Sequence, residues 1–449
     1  MSPMERSEAL DARDPLAAVR QRFVLPSGVV YLDGNSLGAL PVGVAARVAA
    51  VVREQWGEGL IRSWNDADWY DLPTRVGDRI APLVGAQPGE IVVGDSTSVS
   101  LFRVVAAALS LRPDRRVIVT EAGNFPTDLY ILEGIRQLRP DLEIRAVERD
   151  VDPSSALDGA AVLVLTHVDY KTGLVRDMKR LSTAAHEAGA LAVWDLSHST
   201  GVLELDVHGE GADFAVGCGY KYLNGGPGAP SFTWAAPSIA SAAQQPLSGW
   251  FGHRDPFAFD AAYAPAPGIR RFITGTQQVL SLVALDEALK AWEGVSMREV
   301  REKSMAQTSR FLERDAHVFH EVFDEEARIE IALQHARREM VECPAGGGAA
   351  PDRLEHAGEM QPRPVPIQQA LADADHRAGI VEHVDQEEAE HDDNEGLFRD
   401  ARKIEFEQRR LDRRWRRNDA AILREPERQA DQRHDENSDH GAADHLAEV

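Results

Sequence analysis

Apolar positions in the first 300 residues follow two rhythms. From Val44 to Trp56 they recur at spacings of three and four, the period of an amphipathic helix. Further along, short apolar runs alternate with helical stretches. Ile91–Val93, Arg116–Val119, Ala161–Leu165 and Leu191–Trp194 read as buried strands, and Ser98–Leu109, Pro126–Leu138 and Met178–Ala188 as the helices between them. This alternation predicts an α/β fold, with a mainly parallel sheet covered by helices on both faces. Such sheets bind ligands beyond the carboxyl ends of their strands, so the polar residues there are the ones to weigh. No internal repeat is visible.

The pattern ends toward the C-terminus. Positions 341–449 hold 27 acidic and 15 basic residues, half of the chain's net charge of −24. They contain seven of the 15 histidines, no tyrosine and no strand pattern. Asp385–Asp393 and Arg409–Arg417 are plain charge runs. Low hydrophobicity with high charge predicts a solvated acidic tail, with some helix around Ala401–Arg417.

Composition narrows the function classes. The chain has 449 residues, 43% of them hydrophobic and 27% charged, enough for a large core. Its negative charge argues against nucleic acid as a partner. The longest apolar runs, near Ala160–Leu165 and Val104–Leu109, fall short of the ~20 residues a membrane helix needs. The polar, acid-bearing stretch Met1–Pro15 is neither a secretory signal nor a transit peptide. Only Cys218 and Cys343 occur, too few for a disulfide framework, so a reducing cytoplasm is expected.

Three strand-end features carry candidate chemistry. The run Leu191–Trp194 ends in Asp195, with His198 three residues on; alone, Asp195 reads equally as a helix cap. Another apolar strand leads to Lys221, among glycines 217, 219, 225, 226 and 228 that let the backbone pass close to something bulky. Gly94–Ser100 opens a helix with hydroxyls, which is an ordinary N-cap or a phosphate cradle. A hydroxyl loop, then an aspartate, then a lysine are the parts of a pyridoxal phosphate site. The lysine forms the Schiff base, and the aspartate keeps the ring nitrogen protonated so that the ring draws electrons. Lys171, in Tyr170–Gly173, competes for the lysine role but precedes Asp195, the wrong order. No metal site is expected.

Together with Tyr31–Gly38, Phe125–Asp128, Asp195–His198, Gly219–Gly228 and Gly249–His253, these stretches make residues 20 to 306 resemble the kynureninase family. Its members are pyridoxal phosphate enzymes of fold type I, in the aminotransferase superfamily. The resemblance implies a Schiff base on Lys221 and a ring-nitrogen partner in Asp195, with His198 beside it. It assigns the phosphate to Thr97 and Ser98, a ring stack to Phe125, and places in the cofactor pocket to Asp128 and Thr166. Tyr220 would reach the phosphate and act in proton transfer. Trp250 and Thr276 would complete the phosphate site of a neighbouring subunit, which implies a homodimer. As packing alternatives, Phe125 and Trp250 are core aromatics and His198 only orients the aspartate. Trp64 lines the aryl pocket or belongs to the core.

The implied reaction is hydrolysis of L-kynurenine to anthranilate and L-alanine, with 3-hydroxykynurenine as a second substrate. The implied organisation is an N-terminal arm (1–45), a cofactor-binding large domain (46–306) and an atypical charged region (307–449) where the family carries a small domain. That domain holds an arginine, in an Arg-Phe-Gly-x-x-Pro-Leu-Tyr type segment, which grips the substrate carboxylate. No such segment occurs in 307–449. A frame shift in a GC-rich gene would write such text; a lineage-specific tail is the rival. Two other functions stay open: a cysteine desulfurase-like or aminotransferase-like relative, and a catalytically defective cofactor-binding relic.

Overall fold

Strand Ala160–Thr166 is buried at every position, and neighbouring residues serve opposite sides of the sheet. Leu163 and Leu165 join one apolar cluster, whereas Val162 and Val164 join the other. The next strand repeats this with Ala192 and Trp194 against Leu191 and Val193. Period-two alternation of apolar with apolar requires helices on both faces. The computed structural model, which describes residues 3–322, supplies them.

The chain opens with helix α1 (Pro3–Asp11) and a short antiparallel pair, β1 (Phe23–Val24) with β2 (Leu40–Pro41). Helices α2 (Val44–Ala50), α3 (Ser63–Asp66) and α4 (Leu72–Val84) lead into the sheet. Its strands are β3 (Ile91–Val93), β4 (Val117–Glu121), β5 (Glu143–Val147), β6 (Ala160–Thr166), β7 (Leu191–Asp195), β8 (Phe214–Gly217) and β9 (Phe232–Ala235). The order is β3-β9-β8-β7-β6-β4-β5. From β8 to β5 all neighbours are parallel; β9 runs antiparallel between β3 and β8. Two reversals restore direction, so β3, β7 and β8 end on the same side. Helices α5 (Thr97–Ser110), α6 (Pro126–Leu138), α7 (Met178–Glu187), α8 (Pro237–Ala240), α9 (Val279–Ala288) and α10 (Met297–Val322) complete the described chain. Among the described residues no helix is long and apolar enough to cross a membrane.

The two core clusters divide the helices. Residues of α4, α7 and α9 pack with Trp194 and Trp234 on one face; α5 and α6 pack with Phe214 and Phe272 on the other. Trp194 and Trp234 are fully buried, and each indole N–H has an acceptor, Ser182 Oγ and Glu90 Oε2 respectively. Deleting either ring would cost about 3–5 kcal/mol.

Element boundaries differ from expectation in instructive places. The helix expected over 44–56 keeps α-geometry only to Ala50, then widens into a π-type turn over Val51–Gly59. Strands β5 and β9 were not among the expected ones. The strand expected over 116–119 is shifted to Val117–Glu121, which brings Glu121 to the sheet end. The expected crowding of glycines 217, 219 and 225 is crowding by the chain itself. A Cβ on Gly219 would lie 2.4 Å from Pro230 O, and one on Gly225 would lie 2.8 Å from Gly219 O. The acidic tail and the helix expected at 401–417 lie outside the described residues.

Candidate active site

Three strand ends build the site. Asp195 closes β7, opposite Thr166 at the end of β6, and both are buried. Asp195 Oδ1 accepts the Ser197 N–H at 2.7 Å, so the carboxylate is bound by the turn that follows it. Four residues beyond β8, the buried Lys221 places Nζ 2.6 Å from His198 Nε2. The ring of Phe125, at the start of α6, has its centroid 5.6 Å from Lys221 Nζ and meets Tyr170 edge-on at 5.1 Å.

The loop carrying Lys221 is pinned from the N-terminal arm. Gly38 N–H donates to Tyr220 O at 2.8 Å, and Asn224 Nδ2 donates to Ala39 O at 2.9 Å. A Cβ on Gly38 would lie 2.2 Å from Lys221 O, so only glycine fits there. The end of the segment Tyr31–Gly38 is thus packed directly on the lysine loop.

Beyond β3, Ser96 caps α5 by accepting the Val99 N–H at 3.4 Å. Thr97 and Ser98 follow at the open helix N-terminus, half-buried. A cavity of about 450 Å³ there is lined by Ser96, Thr97, Tyr220, Gly228 and Gln278, among others. Unpaired amides at a helix start, within a cavity of this size, suit an anion.

Burial dominates the electrostatics. The Asp195 carboxyl is pushed above the ordinary range by burial, against the opposing pull of the Ser197 bond and Lys221. Asp128 is raised well above it, by burial and then by the neighbouring Asp195. Its Oδ2 is buried with no partner. His198 is pushed down to about 4 by burial and by Lys221, which leaves its ring neutral at pH 7. The Tyr220 phenol is pushed up to about 12, mainly by burial and by Cys218, so it keeps its proton. Two buried carboxyls beside one amine are short of positive charge, and a cationic ring nitrogen would supply it.

The comparisons identify the family to which this fold and sequence belong. The aminotransferase class-V family matches residues 31–320. A kynureninase of Pseudomonas fluorescens is 52% identical over 311 residues, covering 68% of this chain and 75% of the relative. One of Burkholderia pseudomallei (strain K96243) is 50% identical over 318 residues, covering 70% and 76%. The chain belongs to the kynureninase family. Among solved structures, the apo cysteine desulfurase of Thermococcus onnurineus NA1 superposes with a TM-score of 0.56 at 22% identity, covering 66% of this chain and 76% of that one. The Escherichia coli cysteine desulfurase CsdA gives 0.55 at 21%, covering 67% and 77%. These last two establish the shared fold type I architecture. A desulfurase-like reaction is not favoured, because the sequence relatives at about half identity are kynureninases; among the described residues the cysteine, Cys218, is buried just past β8 with its thiol pushed up by burial.

The other expected residues have varied surroundings. Lys171 is exposed in the turn closed by Asp169, apart from the buried amine at 221. Trp64 stacks on Phe251 at 5.6 Å and meets Trp69 edge-on, so its neighbours are core aromatics. Trp250 is 42% exposed and packs on Phe251, Phe257 and Phe259; Thr276 is exposed. Sequence reasoning missed Asp95, the hub of the turn before α5, and Tyr170, the edge-on partner of Phe125. Tyr170 carried one signal, its place just past a buried strand. Among the described residues no cluster of three or more His, Cys, Asp or Glu could hold a metal.

Proposed function

We propose that this chain binds pyridoxal 5′-phosphate around Lys221 and uses it to hydrolyse L-kynurenine to anthranilate and L-alanine, with 3-hydroxykynurenine as a second substrate. The observation that carries the reading is the gathering of a buried lysine, a buried aspartate and an open helix N-terminus at the ends of β8, β7 and β3, in a segment about half identical to kynureninases.

The residues present fit the cofactor. Among the described residues, Asp128 Oδ2 lacks a partner, and Asp195 and Asp128 together face no counter-cation other than Lys221. When bound, the cofactor supplies an electron-withdrawing ring that stabilises negative charge developing next to the substrate amine. Lys221 offers the amine that attaches the cofactor aldehyde and, once freed, moves protons at the substrate α-carbon. Asp195 holds the ring nitrogen, with His198 beside it. Phe125 covers the ring, Thr166 and Asp128 complete the pocket, and Thr97 and Ser98 hold the phosphate. Tyr220 carries its proton at pH 7, as a donor after carbon–carbon cleavage must, although burial and Cys218 push its pKa up to about 12 and so weaken it as an acid.

In this reading the large domain is residues 46–306, the arm is 1–45, and the charged region 307–449 stands where the family has its small domain. The working form is a cytoplasmic homodimer in which Trp250 and Thr276 serve the neighbouring site. Neighbouring exposed aromatics support it: Trp250, Phe257 and Phe259 pack on one another while remaining 42%, 58% and 77% exposed, an apolar patch that a second subunit would cover.

The test is reconstitution with pyridoxal phosphate, then addition of L-kynurenine while anthranilate fluorescence and alanine are followed. Equimolar products from the wild type, and none from Lys221→Ala, are expected. Bound cofactor without anthranilate would overturn the proposed reaction. Borohydride reduction and peptide mapping to another lysine would overturn the site.

A further inference from the structure

We propose that Asp95 is the positioning residue that presents the start of α5 to the cofactor phosphate. This rests on the cofactor reading above, and the closing experiment separates the two.

Asp95 sits in the turn between β3 and α5 with φ at +57°, a left-handed conformation uncommon for a side-chain-bearing residue. Its carboxylate is held on several sides. Arg103, 2% exposed and two turns along α5, donates from Nη1 to Asp95 Oδ2 at 2.9 Å. Thr274 Oγ1 donates to the same oxygen at 3.0 Å. Gln278 Nε2 donates to Oδ1 at 3.3 Å, while Gln278 Oε1 accepts the Asp95 N–H at 3.4 Å.

The backbone of the turn is fastened as well. Ser231 N–H donates to Asp95 O at 2.9 Å, and Gly94 N–H donates to Ser231 O at 2.9 Å. Arg103 Nη2 reaches Ser100 Oγ at 2.8 Å, which in turn pairs with Ser231 Oγ at 2.7 Å. One buried guanidinium therefore links the turn, the first turns of α5 and, through Ser100, the residue that leads into strand β9.

Consider what this does for an anion. Asp95 stands next to Ser96, Thr97 and the open amides, so an unpaired carboxylate there would repel phosphate. Pairing with Arg103 cancels that charge locally. The same pairing fixes the direction of the helix start, which a bound phosphate reads through directed N–H and O–H donors. Thr274 and Gln278 extend the clamp to the segment that carries Thr276. Replacing the carboxylate leaves Arg103 buried without its counter-ion and frees the turn to relax.

Two variants separate charge from backbone. Asp95→Asn keeps the shape and a residue that tolerates positive φ; Asp95→Gly suits that φ but has no side chain. The measurement is equilibrium binding of pyridoxal 5′-phosphate and of pyridoxal, which lacks the phosphate, to each apo-protein. The expected result is a loss of tenfold or more in pyridoxal phosphate affinity in both variants, with pyridoxal affinity within twofold of wild type. Turnover at saturating cofactor should return toward the wild-type value. Equal losses for both ligands, or an unchanged preference for the phosphorylated one in either variant, would overturn the role of Asp95. Failure of wild-type protein to bind pyridoxal phosphate through Lys221 would instead refute the cofactor reading itself.

Discussion

Lys221 Nζ lies 2.6 Å from His198 Nε2, and the contact sets how each can act. Burial and the neighbouring amine push the imidazole down to about 4, so at pH 7 Nε2 carries a lone pair and accepts from Lys221. The histidine thus aims the amine rather than adding a second positive charge to the pocket. Replacing it with phenylalanine keeps the ring volume and removes the acceptor. His198→Phe should lower kcat by about 10²-fold, the low end for a misplaced proton-transfer group, while retaining the cofactor. Steady-state kinetics together with the absorbance of bound cofactor checks this.

Asp128 makes the site unstable when empty. Its carboxyl is raised well above the ordinary range by burial and by Asp195, and Oδ2 has no partner. For a carboxyl whose folded pKa is raised, the stabilising contribution is full below the unfolded value and is lost as pH rises through the folded one. At pH 7 the empty pocket therefore works against folding. Asp128→Asn should raise the melting temperature of apo-protein at pH 7 and have little effect near pH 4, while lowering turnover of the reconstituted protein. Calorimetry at both pH values, paired with the anthranilate assay, would expose an error: a variant less stable at pH 7 contradicts the argument.

Much of this arrangement is legible in the sequence, and the reason is local. Leu191–Trp194 followed by Asp195, and Thr97–Ser98 after Ile91–Val93, are strand-end features read over a few neighbours. What escapes is set by partners far along the chain. Strand β5 alternates Glu143, Ile144, Arg145, Ala146 and Val147 at the sheet edge, and its charges hide the period. Strand β9 is four residues long, set off by Gly228 and Pro230, and its place between β3 and β8 depends on pairing across more than a hundred residues. Arg103 reads as an ordinary solvated helix position until Asp95, Ser100 and Phe272 O surround it.

A second carboxyl is strained away from the site. Glu210 is pushed up to about 7 by burial and then by Asp206 and Asp177, and its Oε2 is buried without a partner. By the same linkage, its contribution to stability is full at low pH and fades as pH rises through 7. Glu210→Gln should stabilise the protein at pH 8 and leave it near wild type at pH 5. Urea denaturation at the two pH values measures it; equal shifts at both would show that the charge is not the cause.

His167 gives the opposite slope. It is buried behind β6, pairs with Ser199 Oγ at 2.9 Å, and is pushed down to about 4 by burial. A histidine held neutral contributes stability above its unfolded pKa near 6.5, and that contribution is lost as pH falls toward 4. Together with His198 it should make the apo-protein lose stability between pH 6.5 and 4. His167→Gln retains a polar partner for Ser199 without a titrating ring, so its stability should fall less steeply over that interval. If denaturation midpoints of variant and wild type run parallel from pH 6.5 to 4, the buried ring does not govern acid sensitivity.

The resemblance read from the sequence ends at residue 306, whereas the family match runs to residue 320; the charged region beyond it bears on substrate rather than cofactor. Every residue assigned to the ring and phosphate lies between Thr97 and Thr276, whereas the arginine that the family resemblance implies for the substrate carboxylate belongs to a segment with no counterpart in 307–449. A paired arginine–carboxylate contact is a strong, directional bond, and losing a positioning clamp costs orders of magnitude in rate. Cofactor binding should therefore match that of the Pseudomonas fluorescens relative, while kcat/KM for L-kynurenine falls by about 10²-fold or more. The two proteins assayed side by side, with pyridoxal phosphate titrated separately, distinguish these effects. Equal kcat/KM values would mean that another group in this chain grips the carboxylate, and arginine-to-methionine replacements near Lys221 would then be the way to find it.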